Sequence, residues 1–129
     1  MFEPIPAETE SVAARTLDAA FQVHRTLGPG LLESVYETCL CHELTKAGIE
    51  FQRQLVLPIV YDGIRLDAGL RLDLLVADSV IVELKAIESL LPIHEAQVIT
   101  YLKLTNKRLG LLLNFNVKLL KDGLKRIVL

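Results

Sequence analysis

Asp73, Glu83 and Lys85 are the residues whose types and spacing bear most directly on chemistry. Asp73 sits inside the apolar run Leu70-Arg71-Leu72-Asp73-Leu74-Leu75-Val76, and the other two lie in Ile81-Val82-Glu83-Leu84-Lys85-Ala86. Charged groups are rarely buried without a partner or a metal. Three of them in two core-like strands therefore call for a shared explanation. The intervening Ala77-Asp78-Ser79 reads as a tight turn, which makes the runs neighbouring strands of a hairpin. Side chains alternate along a strand, so Glu83 and Lys85 share a face, roughly 7 Å apart along it. Asp73 comes alongside Glu83 from the adjacent strand. Two carboxylates with an ammonium beside them suit a hard divalent cation, Mg2+ or Mn2+.

Other polar residues fall at helical spacing. Glu33 and Tyr36 are at i and i+3, directly after Gly28-Pro29-Gly30. A glutamate in a first helical turn is also what a helix dipole favours. His94, Gln97 and Tyr101 form a stripe on a later helix, which follows the Glu83-Leu84-Lys85 strand and so packs near Lys85. Alone, such a stripe reads as a solvated face. Cys39 and Cys41 are two apart on a helix and do not face each other, so ordinary packing is expected rather than a disulfide. Cys41-His42 lacks two further ligands at zinc spacing.

These side chains must be positioned by a definite series of elements. Apolar residues Val12, Thr16, Ala19, Ala20, Val23 and Leu27 recur at helical spacing over Ser11 to Leu27, with Thr9 or Ser11 as cap. Gly28-Pro29-Gly30 stops this helix. A second runs from about Leu32 to Ala47 on a stripe of Leu32, Val35, Tyr36, Cys39, Leu40 and Leu44, ending at Gly48. Phe51 to Tyr61 is strand-like, with Pro58 marking an edge or a bend, and Asp62-Gly63 is a hairpin turn. Ile64 to Leu66, Leu70 to Val76 and Val80 to Ile87 follow as strands. Pro92 opens a helix over Ile93 to about Thr105. Leu109 to Phe115 reads as a buried strand, and Val117 to Leu129 as a hairpin with Lys121-Asp122-Gly123 at its tip. The order α-α-β-β-β-α-β plus a C-terminal hairpin predicts an α/β (mixed α+β) fold, one mixed sheet flanked by helices.

The chain has 129 residues, 51% hydrophobic and 23% charged, with no Trp. That suits one globular domain over 1–129 with an aliphatic core. No apolar run reaches the ~20 residues a membrane span needs. The acidic N-terminus lacks a signal-peptide pattern, so a cytoplasmic location is expected. The net charge of −2 does not suit a non-specific nucleic-acid binder. It conceals an asymmetry: residues 1–88 hold 7 Lys+Arg and 14 Asp+Glu, whereas 89–129 hold 7 and 2. Lys103, Lys107, Arg108, Lys118, Lys121, Lys125 and Arg126 are candidates for a phosphate-facing surface or a solvated one. The apolar C-terminal hairpin makes a homodimer a candidate assembly.

Taken together, these parts resemble the PD-(D/E)xK nuclease superfamily from about residue 11 to 115. Asp73 and Glu83-Leu84-Lys85 match its Asp and Glu-x-Lys elements, Glu33 its helix glutamate, and Gln97 with Tyr101 its Gln-x-x-x-Tyr element. Gly30-Leu31-Leu32-Glu33-Ser34-Val35-Tyr36 looks like the signature of the small bacterial GxxExxY proteins. One departure is Leu72, rather than proline, before the aspartate; many members of the superfamily lack that proline.

The resemblance implies a restriction-endonuclease-like core and hydrolysis of a DNA or RNA phosphodiester. It implies Asp73, Glu83 and the Leu84 backbone carbonyl as metal ligands, with Glu33 completing the shell directly or through water. Lys85 would orient the attacking water or stabilise charge on the phosphate, and Gln97 would hold Lys85 or a phosphate. Tyr36, His94 and Tyr101 are the expected substrate contacts. The alternative is a catalytically silent nuclease fold that binds nucleic acid or a protein. A purely structural Asp73–Lys85 ion pair would be a weak stabiliser and would leave Glu83 alone.

Overall fold

The computed structural model describes residues 3–129. Its elements are α1 (Ala7–Leu27), α2 (Glu33–Lys46), β1 (Phe51–Tyr61), β2 (Ile64–Val76), β3 (Val80–Lys85), α3 (Pro92–Thr105), β4 (Leu109–Asn114) and β5 (Leu124–Val128). The strands form one five-stranded mixed sheet in the order β1-β2-β3-β4-β5. Only β3 and β4 run parallel, as a helical crossover through α3 requires; the other neighbours are antiparallel. This is the α/β architecture expected of a restriction-endonuclease-like fold.

Residue alternation along the central strands divides the core. Val80, Val82 and Leu84 of β3 and Leu109, Leu111 and Leu113 of β4 join Ala20, Val23, Tyr36, Leu40 and Leu44 of α1 and α2. Ile81 and Leu112 turn the other way, onto Val98 and Leu102 of α3. Ala13, Ala19 and Ala20 of α1 are buried in this first layer. Gly110 allows α3 its close seat: a Cβ there would lie 2.6 Å from Val98 Cγ1.

Several boundaries differ from the sequence expectation. Helix α1 starts earlier, at Ala7, behind Pro6; neither Thr9 nor Ser11 caps it. Proline's fixed φ sets the entry instead. The buried face of α2 is rotated: Leu32 is 74% exposed, and Glu37 and Cys41 join Tyr36, Leu40 and Leu44 inside. Cys39 and Cys41 are free thiols that pack on the helix layer. Gly48 ends α2 as expected, in the left-handed region at φ 71°. Its N–H donates to the Thr45 carbonyl and that of Ile49 to the Leu44 carbonyl, the paired bonds of a Schellman stop.

Strand β2 is continuous over 13 residues rather than two pieces. Its outer half is exposed on both faces, so it lacks an apolar alternation, yet the β1 ladder holds it. The ladder shifts register between Leu57 and Ile59, at Pro58. The C-terminal hairpin pairs β5 with β4. Residues 117–119, expected as its first arm, belong to the connection, which ends in a 3-10 turn at Leu120–Gly123. Leu120 and Ile127 lie in the chain's own core, which removes much of the apolar surface that made this hairpin a dimer candidate. No helix among the described residues is long and apolar enough to cross a membrane.

Candidate active site

The β2–β3 ladder ends early. Its last pair is Leu74 with Val82, so Asp73 and Glu83 stand where the two strands part. Their side chains replace the missing backbone bonds. The Asp73 N–H donates to Glu83 Oε1 at 3.2 Å, and the Leu84 N–H donates to Asp73 Oδ2 at 2.9 Å. In a strand the N–H and C=O of one residue point to the same side. The Leu84 carbonyl therefore faces this gap, whereas that of Lys85 faces β4 and accepts from Phe115 N–H at 2.9 Å. Parallel pairing of Lys85 with Asn114 fixes the end of β3. Beyond it, the buried Asn114 amide binds both the N–H and C=O of Ile87, at 3.1 and 3.0 Å.

Around the gap lies an open cleft lined by Glu33, Arg71, Asp73, Glu83, Lys85, Gln97 and Tyr101 among others. Helix α2 delivers Glu33 from its first turn, and α3 delivers Gln97 and Tyr101. Five expected site residues besides Tyr101 thus meet in one place. Arg71 was not anticipated, although period two from Asp73 puts it on the same strand face.

Glu83 is only 5% exposed. Burial, then the Asp73 carboxylate that shares a hydrogen bond with it, push its pKa up to about 9. A raised pKa of this kind is what desolvated, adjacent carboxylates produce, because two like charges disfavour each other's ionisation. Glu33 is also raised, first by burial and then by Asp73, with Lys85 opposing. Burial and then the charges of Glu83 and Asp73 raise the Tyr101 hydroxyl, so it stays a neutral donor. Lys85 joins none of the close ion pairs among the described residues. The structural Asp73–Lys85 pair is therefore not formed.

Two expected substrate contacts lie elsewhere. Tyr36 has no exposed surface and stacks on Phe115 with ring centroids 4.6 Å apart. Its hydroxyl donates to the Gly28 carbonyl at 2.6 Å and accepts from Leu31 N–H at 3.1 Å. It braces the loop that leads into α2, just before Glu33, and does not line the cleft. His94 is used in the start of α3, where Nδ1 accepts from Leu91 N–H at 2.9 Å, and it does not line the cleft.

The oxygen-only donors Asp73, Glu83 and the Leu84 carbonyl suit a hard cation that keeps several waters. Among the described residues, no three His, Cys, Asp or Glu side chains are grouped to hold a metal. A closed, all-side-chain cage of the zinc type is thus not what these residues build.

The model of the PD-(D/E)XK nuclease superfamily matches residues 10–127. The chain belongs to that superfamily. Its members' nuclease character extends the reading of the cleft from a carboxylate pair to a nuclease fold. No curated protein and no solved structure matches the chain.

Proposed function

We propose that this PD-(D/E)xK protein is a divalent-metal-dependent nuclease that hydrolyses DNA or RNA, of the GxxExxY type that Gly30, Glu33 and Tyr36 suggest. The observation that carries the proposal is the meeting of Asp73, Glu83 and Lys85 at the strand gap, with Glu33 brought in from α2. Asp73, Glu83 and the Leu84 carbonyl would hold Mg2+ or Mn2+, with Glu33 joining through water. Such an ion, when bound, would supply Lewis-acid activation of the phosphoryl group and of water.

The chain's own residues do the rest. Lys85, free of a close carboxylate partner, orients the attacking water or stabilises charge that develops on the phosphate. Gln97 holds Lys85 or a phosphate oxygen by hydrogen bond. Tyr101 donates to the nucleic-acid backbone, and Arg71 offers its planar fork to a phosphate. The test is cleavage of single-stranded, duplex, flapped and four-way-junction DNA and RNA with Mg2+ or Mn2+. Cutting of at least one polymer, lost in Asp73→Asn, supports the proposal. Salt-sensitive binding without cutting of any polymer would favour a silent binding module.

A further inference from the structure

Beside the cleft, an interaction chain runs from α2 through the edge strand β1 to Asp73. Glu37 is buried, at 6% exposed. Its Oε2 accepts from Arg53 Nε at 2.7 Å, and its Oε1 accepts from Gln54 Nε2 at 2.6 Å. Arg53 is itself tied to α2 by Nη2 donating to Thr38 Oγ1 at 2.9 Å. The same Gln54 nitrogen lies 3.3 Å from Asp73 Oδ1. Carboxylates accept only, and a glutamine amide has two N–H donors on one nitrogen. The two carboxylates therefore fix the amide's orientation, one N–H to each.

Asp73 is thereby held from both sides, by β1 at Oδ1 and by the Leu84 N–H at Oδ2. Each of its oxygens keeps a further lone pair for a cation. Gln54 makes these contacts from a left-handed backbone, φ 51°, directly between the ladder pairs Arg53–Leu74 and Leu55–Leu72. That conformation is uncommon for glutamine and strained. The Glu37–Arg53 pair by itself needs no such distortion; the left-handed backbone accompanies the turn of the residue 54 amide toward Asp73.

We propose that Gln54, oriented by the Glu37–Arg53 pair, is a positioning residue that sets the Asp73 carboxylate for metal binding. This rests on Asp73 being a metal ligand. Outer partners of metal ligands typically carry about 10–100-fold in affinity.

The test is Mn2+ binding to the full chain, followed by the paramagnetic signal of free Mn2+, in Gln54→Met, Glu37→Gln and the double variant, with metal-free melts beside it. Gln54→Met should weaken Mn2+ binding about tenfold, at the low end of that range, with the metal-free protein still folding cooperatively at a modestly lower melting temperature, because Glu37 loses one hydrogen bond. Glu37→Gln should weaken it less, and the double variant no more than Gln54→Met alone, because Glu37 acts through Gln54. Wild-type affinity in Gln54→Met, or effects that multiply in the double variant, would overturn the inference alone. If Gln54→Met fails to fold, unchanged binding in Glu37→Gln overturns it and weakened binding supports it. A wild type that takes up no Mn2+ would overturn the metal-dependent reading and this inference together.

Discussion

At the scale of single residues, the raised pKa of Glu83 gives the protein a pH response that can be measured. Its carboxyl titrates near 4.5 when exposed and is pushed up to about 9 in the fold. Between those values the folded chain binds the extra proton. Stability from this group is therefore full below about pH 4.5 and falls as pH rises toward 9. A cation must displace that proton, so metal uptake at pH 7 should release about one proton, and affinity should rise with pH up to about 9. Calorimetry in buffers of different ionisation enthalpy measures the release; none at pH 7 would show Glu83 already ionised. Asp73, Glu83 and Lys85 were legible in the sequence because charge inside apolar strands is expensive and therefore conspicuous. Gln54 was not, because an uncharged residue on an exposed strand carries no such signal and gains its meaning only where β1 passes Asp73.

At the scale of elements, Tyr36 and Gly110 test how the helices aim their side chains. The i, i+3 spacing put Glu33 and Tyr36 on one helix face, but spacing alone does not say how deeply each side chain on that face is buried. The structure points Glu33 at the cleft and Tyr36 into the core. Tyr36→Phe removes a bond to the Gly28 carbonyl and one to the Leu31 N–H. It should cost about 1–3 kcal/mol in denaturant unfolding, with nucleic-acid binding unchanged when the folded protein is assayed. Lost binding in a stably folded Tyr36→Phe would restore it as a substrate contact. Gly110→Ala should push α3 off the sheet at Val98 and cost about 1–3 kcal/mol; an unaltered melt would mean that α3 adjusts freely. Strand and helix order was readable from period and turn residues. The length of β2 was not, because its outer half is held by β1 rather than by burial.

At the scale of the whole molecule, charge placement decides which surface meets a polyanion. Sequence placed seven basic residues in the last third as one candidate track. Lys107 pairs with Asp78 and Arg126 with Glu10, while Arg108 binds the carbonyls of Glu3, Pro4 and Leu129. The register Leu84–Leu113–Leu124 sets the 3-10 turn carrying Lys121 at the same end of the sheet as Lys85. Two strand spacings, about 10 Å, separate β3 from β5. Lys121→Glu with Lys125→Glu should therefore weaken nucleic-acid binding and flatten its salt dependence, whereas Lys107→Glu should leave both near wild type. Equal effects from the two changes would mean a diffuse field rather than a track. The central claim, catalysis at the strand gap, is tested most directly by Lys85→Ala with one labelled substrate, bound in Ca2+ and cut in Mg2+. Lys85 acting on the transition state predicts cleavage reduced by about 10²-fold or more, with binding within about threefold of wild type. Cleavage by Lys85→Ala at the wild-type rate would contradict the account.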